Sequence, residues 1–80
     1  MDIKGRIKDI LVTLLKVRCE ELKDDLSLEA SIGIDSTEMV EVVIALEKAF
    51  GKKLSPKEIT KFSTLNDIEK IIQAKINSPQ

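Results

Sequence analysis

The sequence predicts an all-α protein, a four-helix bundle with a long loop between its first and second helices and a short third helix. Three observations predict it. Apolar residues recur at helical spacing near the start, in the middle and near the end of the chain. Capping residues stand just before the middle, short and last helical stretches. No stretch alternates apolar and polar residues as a half-buried strand does. The expected helices cover residues 3–17, 36–50, 56–61 and 65–76 of a single domain, 1–80.

In the first helix Ile3, Ile7, Ile10, Leu11, Leu14 and Leu15 follow the helical period, with Lys4, Lys8 and Asp9 on the other face. Gly5 weakens its first turn. Residues 18–34 keep neither period, and so long a connection is generally functional or disordered. Leu22, Leu26, Leu28, Ile32 and Ile34 favour order, as aliphatic anchors that pin the loop over a core. The second helix is the best signalled. Asp35 caps it, Glu38 three residues on completes a capping box, and Gly51 ends it. Met39, Val43, Leu46 and Phe50 cluster on one side, with Glu38, Glu41 and Lys48 roughly opposite. Ile44 and Ala45 fall outside that stripe, which makes Ile44 an exposed aliphatic among acids unless the stripe is wide enough to bury it. Ser55-Pro56-Lys57-Glu58 combines a cap, a first-turn proline and a glutamate at the third position. Only Ile59 and Phe62 follow as apolar residues, so this third helix is one or two turns long. The last helix starts near Thr64, buries Leu65, Ile68, Ile71, Ile72 and Ile76, and ends in Asn77-Ser78-Pro79-Gln80.

Composition narrows the function. Eighty residues support one core, and 42% hydrophobic with 34% charged residues is a globular balance. The absence of His removes imidazole bases and imidazole metal ligands, and one Cys permits neither an internal disulfide nor a Cys-rich zinc site. Cys19 reads as a small apolar residue at the end of the first helix. Two aromatics, Phe50 and Phe62, and a net charge of −1 argue against nucleic-acid binding. No apolar run approaches the roughly 20 residues of a membrane span, and the first residues lack a signal peptide's apolar stretch. A soluble, cytoplasmic monomer is the expectation. Charge is unevenly placed: six basic against seven acidic residues over 1–32, one against four over 33–51, six against three over 52–80. The acidic middle and basic tail are either distinct faces or ordinary solvated surface.

Intrinsic catalysis has little support. Ser27, Ser31, Ser36, Cys19 and the threonines are nucleophiles without a His base. Asp24 and Asp25 are loop charges with no sign of burial, and Gly33 and Gly51 are too far apart to cradle a phosphate. The remaining anomaly is Gly33-Ile34-Asp35-Ser36. On local grounds Ser36 is an ordinary serine at a helix start. Its hydroxyl nevertheless projects into solvent near unpaired N–H groups. A phosphate attached there gains roughly 0.3–1 kcal/mol from the helix end, and Asp35 and Glu38 oppose that gain by repulsion. A phosphodiester is tolerated there and not strongly bound, which suits a mobile tether.

Gly33-Ile34-Asp35-Ser36, followed by Val40-Glu41 and by Ala45-Leu46-Glu47 up to Phe50, resembles the signature of the acyl carrier proteins. The aliphatic first helix, Ser27-Leu28, Ser55-Pro56 and Thr64 fit in register, so the resemblance covers residues 3–76. It implies a four-helix bundle of acyl-carrier-protein type and a chain that is not an enzyme. It implies that a phosphopantetheinyl transferase attaches 4′-phosphopantetheine from coenzyme A to Ser36. The arm's thiol would carry acyl groups as thioesters between acyl-loading ligases or synthases and acyltransferases of fatty-acid, lipid or related biosynthesis. In the family the acyl chain can enter the apolar interior between the helices. Family partners are typically basic and read an acidic second helix. Asp35, Glu38, Glu41 and Glu47 match those positions, and Ile44 adds an apolar contact. Thr37 stands where the family has Leu, a partner contact, and Lys48 and Ala49 stand where fatty-acid carriers are acidic. With the basic tail, these departures suggest a specialised carrier. An aminoacyl or aryl carrier of a peptide, polyketide or envelope pathway shares the serine and the arm. A helical interaction module in which Ser36 is only a cap shares the fold.

Overall fold

Four α-helices build the protein: α1 (Ile3–Leu15), α2 (Leu28–Ile32), α3 (Ser36–Phe50) and α4 (Leu65–Asn77), with a 3₁₀ turn at Cys19–Glu21. The computed structural model describes residues 2–77, so Ser78, Pro79 and Gln80, expected to close the last helix, lie outside the described residues. α1 packs against both α3 and α4. It runs antiparallel to α3, because Arg6 near the start of α1 donates to the carbonyl of Ala49 near the end of α3 (3.0 Å). The core is aliphatic: Ile7, Leu11, Leu28, Val42, Leu46, Ile59, Leu65, Ile68 and Ile72 are fully buried.

α1 stops two residues short of the expected 17. Lys16 adopts the left-handed region at φ 58° and donates its N–H to the carbonyl of Val12 (2.9 Å), which closes the helix as a glycine would. The chain beyond it is extended at Arg18, so Cys19 lies exposed in the 3₁₀ turn and does not close α1. Gly5 has a positive reason to be there. Its N–H bonds to the Asp2 cap (3.0 Å), and a Cβ at Gly5 would collide with that carboxylate.

The long connection is ordered. Leu22, Leu28 and Ile34 are buried and Ile32 is half-buried, as aliphatic anchors should be, but Leu26 is exposed. Ser27 caps α2 by accepting from Ala30 N–H (3.1 Å). Asp24, read from sequence as a loop charge with no sign of burial, is half-buried and paired: its carboxylate lies 3.0 Å from Lys8 Nζ and 3.4 Å from Lys4 Nζ. Its carbonyl accepts from Asn66 N–H (3.2 Å). The loop is thereby tied to α1 and α4 together.

The helix expected over 56–61 does not form. Ser55 to Ile59 makes a single turn, with Glu58 and Ile59 N–H groups both reaching the Ser55 carbonyl (3.1 and 3.2 Å). Two competitors stop its propagation. The Thr60 hydroxyl accepts from Phe62 N–H (3.2 Å), the local side-chain bond that diverts a backbone from helix. The Ser63 hydroxyl likewise accepts from Thr60 N–H (3.1 Å), and the carbonyls of Lys61 and Ser63 just beyond accept from Glu29 and Leu28 of α2 (2.9 and 3.0 Å). The short helix of the bundle is therefore α2, inside the long connection. Segment 52–64 instead lies as a strap, held by buried Leu54 and Ile59. The protein's radius of gyration of 11.5 Å matches the about 11.6 Å of a compact chain this long, so neither connection hangs free.

Candidate functional site

The site starts where α2 ends. Gly33, at φ 67°, turns the chain out of α2, and Ile34 plunges into the core at 3% exposure. That anchor fixes where α3 begins. Asp35 Oδ1 accepts from Glu38 N–H (2.7 Å), and Glu38 Oε1 accepts from Asp35 N–H (3.2 Å), so the box read from the sequence is fully formed. The cap belongs to Asp35. Ser36 is the first residue of α3 and exposed, and its hydroxyl makes no hydrogen bond among the described residues. The cap is Asp35, as the sequence indicates, so the Ser36 oxygen is not needed by the helix.

α3 divides into three faces. Met39, Val42, Val43 and Leu46 are buried, with Phe50 partly covered beneath the Arg6 guanidinium, 4.8 Å from its ring centre. Thr37, Glu41, Ile44 and Lys48 form the exposed line opposite, with Ile44 46% exposed. Asp35 is exposed at the end of that line, and Glu38 is half-buried beside it. Glu47 points elsewhere. It sits with Ser36 and Val40 on the flank toward the strap, where Oε2 accepts from Leu54 N–H (2.9 Å). Five of the six expected recognition residues therefore gather around Ser36 and the exposed line, while Glu47 holds the strap.

A groove of about 280 Å³ opens at Ser36 itself. Met39, Val40, Pro56, Ile59 and Phe62 line it, with Thr60 and Lys61 at its edge. Val40 and Phe62 are the residues that sequence reasoning missed. Val40 carried a signal, four residues after Ser36 and so on its face of the helix. Phe62 carried none, because its position depends on the strap failing to become a helix. It is 66% exposed, the most exposed large apolar side chain described. Lys61 lies 5.4 Å from its ring centre and 3.0 Å from the Glu29 carboxylate. An exposed hydroxyl beside an open apolar groove fits a tethered, partly apolar arm. A buried or hydrogen-bonded serine would not.

Ion pairs tie the two connections to the helices. Lys8 beside Asp24, with Lys4 adding to it, holds the Asp24 carboxyl below the usual carboxylate range and raises Lys8 in turn. Lys75, 2.8 Å from Glu58, lowers the Glu58 carboxyl, helped by the Ser55 N–H. The second pair clamps the strap to α4. Among the described residues no three His, Cys, Asp or Glu side chains converge as a metal site.

The model of a phosphopantetheine attachment site matches residues 5–72, nearly the whole described chain. The chain belongs to the acyl carrier protein family. The acyl carrier protein of Chloroherpeton thalassium is 33% identical over 75 residues, covering 92% of this chain and 94% of that one. That of Wolinella succinogenes is 34% identical over 73 residues, covering 91% and 96%. As an acyl carrier protein the chain is not an enzyme but a carrier whose work is done with partner enzymes. The four-helix arrangement agrees with that membership. No helix of the carrier, among the described residues, is long and apolar enough to cross a membrane.

Proposed function

We propose that this carrier holds acyl intermediates of fatty-acid, lipid or related biosynthesis as thioesters on a 4′-phosphopantetheine arm attached to Ser36. The single observation that carries the reading is Ser36 itself: exposed at the first turn of α3, released from capping by Asp35, and opening onto the apolar groove. The arm, when attached, supplies the thiol that bears the cargo. The chain's own residues do the rest. Asp35 and Glu38 keep their carboxylates on the helix N–H groups, so the phosphodiester stays in solvent and the arm stays mobile. Met39, Val40, Ile59 and Phe62 shelter apolar parts of arm or cargo from water. Asp35, Glu38 and Glu41 steer basic partners, with Thr37 and Ile44 as contacts beside them. Glu47 acts first as a tie for the strap. Thr37, Lys48 and Ala49 make it a specialised carrier in this reading.

Incubation with coenzyme A and a broad-specificity phosphopantetheinyl transferase tests it by intact mass. Wild type should gain one phosphopantetheine and Ser36→Ala none. A folded wild type that gains nothing from this or from its own organism's transferases would overturn the reading. The group found on the arm in cells then separates an acyl cargo from an aminoacyl or aryl one.

A further inference from the structure

A second and larger groove lies between α1 and α3, away from the face that opens at Ser36. It holds about 690 Å³, and its apolar lining is Ile10, Leu14, Ala45 and Ala49. The two alanines stand one turn apart on α3 and leave the space open. Leu14 is 36% exposed there although it continues the buried stripe of α1. The rim is mostly cationic. Lys16 and Lys48 stand in the lining and have no ion-pair partner among the described residues. Arg6, bound to the Ala49 carbonyl, brings a third cation to one end. Asp9 is the one acid in the lining.

The groove is continuous with the exposed line of α3. Ala45 is nine residues beyond Ser36, about 14 Å along the axis at 1.5 Å per residue. Glu41 and Lys48 flank it one turn either way. A partner enzyme that covers the exposed line to reach Ser36 meets the groove at the edge of the same footprint. The exposed side of α3 is thus acidic toward Asp35 and Glu38 and basic at Lys48, because Glu47 beside it is turned to Leu54 N–H.

We propose that this groove is a second docking contact for a partner enzyme, receiving an apolar side chain whose neighbours on the partner are carboxylates. The proposal rests on the carrier reading. It gives the partner a dipolar footprint: basic toward Asp35, Glu38 and Glu41, acidic toward Lys16 and Lys48. A second copy of the chain is the weaker occupant. The eight residues that line the groove fall well short of the roughly 20–30 per side of a stable interface. They suit one anchor within a larger contact.

The test uses the full chain, ¹⁵N-labelled and treated with coenzyme A and transferase. Its probe is a synthetic helical peptide with one leucine set between glutamates, run against a counterpart with lysines in place of the glutamates. The acidic peptide should shift the amides of Ile10, Leu14, Ala45 and Ala49, and bind about fivefold tighter than the basic one, from two exposed rim charges. Lys16→Gly with Lys48→Glu should erase that preference. Glycine is safe at position 16, whose backbone is already left-handed. Equal binding of the two peptides overturns the proposal. So do shifts confined to Val40 and Phe62, concentration-dependent shifts without peptide, which would mean a second copy, or shifts seen only with phosphatidylglycerol vesicles. A wild type that gains the arm but shows no groove shifts overturns the docking proposal alone. A wild type that gains no arm overturns the carrier reading and the proposal with it.

Discussion

Glu47 offers a quantitative test, because sequence and structure give it different work. The acidic pattern of α3 offers it to partners, whereas the structure spends its carboxylate on Leu54 N–H at 2.9 Å. A hydrogen bond to a charged group contributes roughly 1.5–3 kcal/mol when well shielded. Glu47 is half-exposed, so solvent screening brings it down to about 1 kcal/mol. Alanine's better helix propensity returns a few tenths of that. Glu47→Ala should therefore destabilise by somewhat under 1 kcal/mol, which lowers Tm by about 3–6 °C in a domain this small. Glu47→Gln keeps an acceptor oxygen and should lose about half as much. Glu41→Ala, on the open line, should stay within about 0.5 kcal/mol of wild type. Thermal and urea unfolding of the three variants decide the matter. A Glu47→Ala protein as stable as Glu41→Ala, and equally impaired in a partner reaction, would refute the structural assignment.

Other outcomes follow from the same contacts. Asp24 and Glu58 have folded-state pKa values below their unfolded ones, so their pairs stabilise above the ordinary carboxylate range and lose that contribution as pH falls through it. The urea midpoint should drop on acidification from about pH 5 to pH 3, and less steeply in Asp24→Asn with Glu58→Gln; equal slopes would count against these pairs. Ile59→Ala removes a fully buried anchor of the strap and should cost about 2–5 kcal/mol, a large part of the about 4–12 kcal/mol expected for 80 residues. A cost under 1 kcal/mol would mean the strap is not held by that side chain. Asp35→Ala should cost about 0.5–2 kcal/mol by loss of the cap, while Ser36→Ala should be nearly neutral; urea unfolding that ranks them the other way would return the cap to Ser36. Lys16→Gly should stabilise by about 0.5–1 kcal/mol by relieving the left-handed backbone.

The long helices were legible because their signals are local. The Asp35–Glu38 box and Gly51 mark both ends of α3, and Thr64 with Asp67 forms a reciprocal box at the start of α4 (3.0 and 3.1 Å). The strap was not legible, because its fate is set by distant groups. Ser55-Pro56-Lys57-Glu58 is a sound helix start, yet the Thr60 and Phe62 N–H groups turn to the Ser63 and Thr60 hydroxyls, and Leu28 and Glu29 from the other connection bind the chain just beyond. The same long-range bonds order α2, whose five residues are too few to stand alone. Ser36 was legible by motif and Asp35 as the cap by its box with Glu38, and the geometry agrees on that cap. Phe62 completes the groove from the strap with Pro56 and Ile59, so that half of the groove had no sequence signal.

The most direct test of the central claim is a peptide mass spectrum of the protein isolated from its own cells. The peptide bearing Ser36 should carry a 4′-phosphopantetheine, with an acyl thioester on part of the population. An unmodified Ser36 in protein from growing cells, or the arm on any other residue, would contradict it.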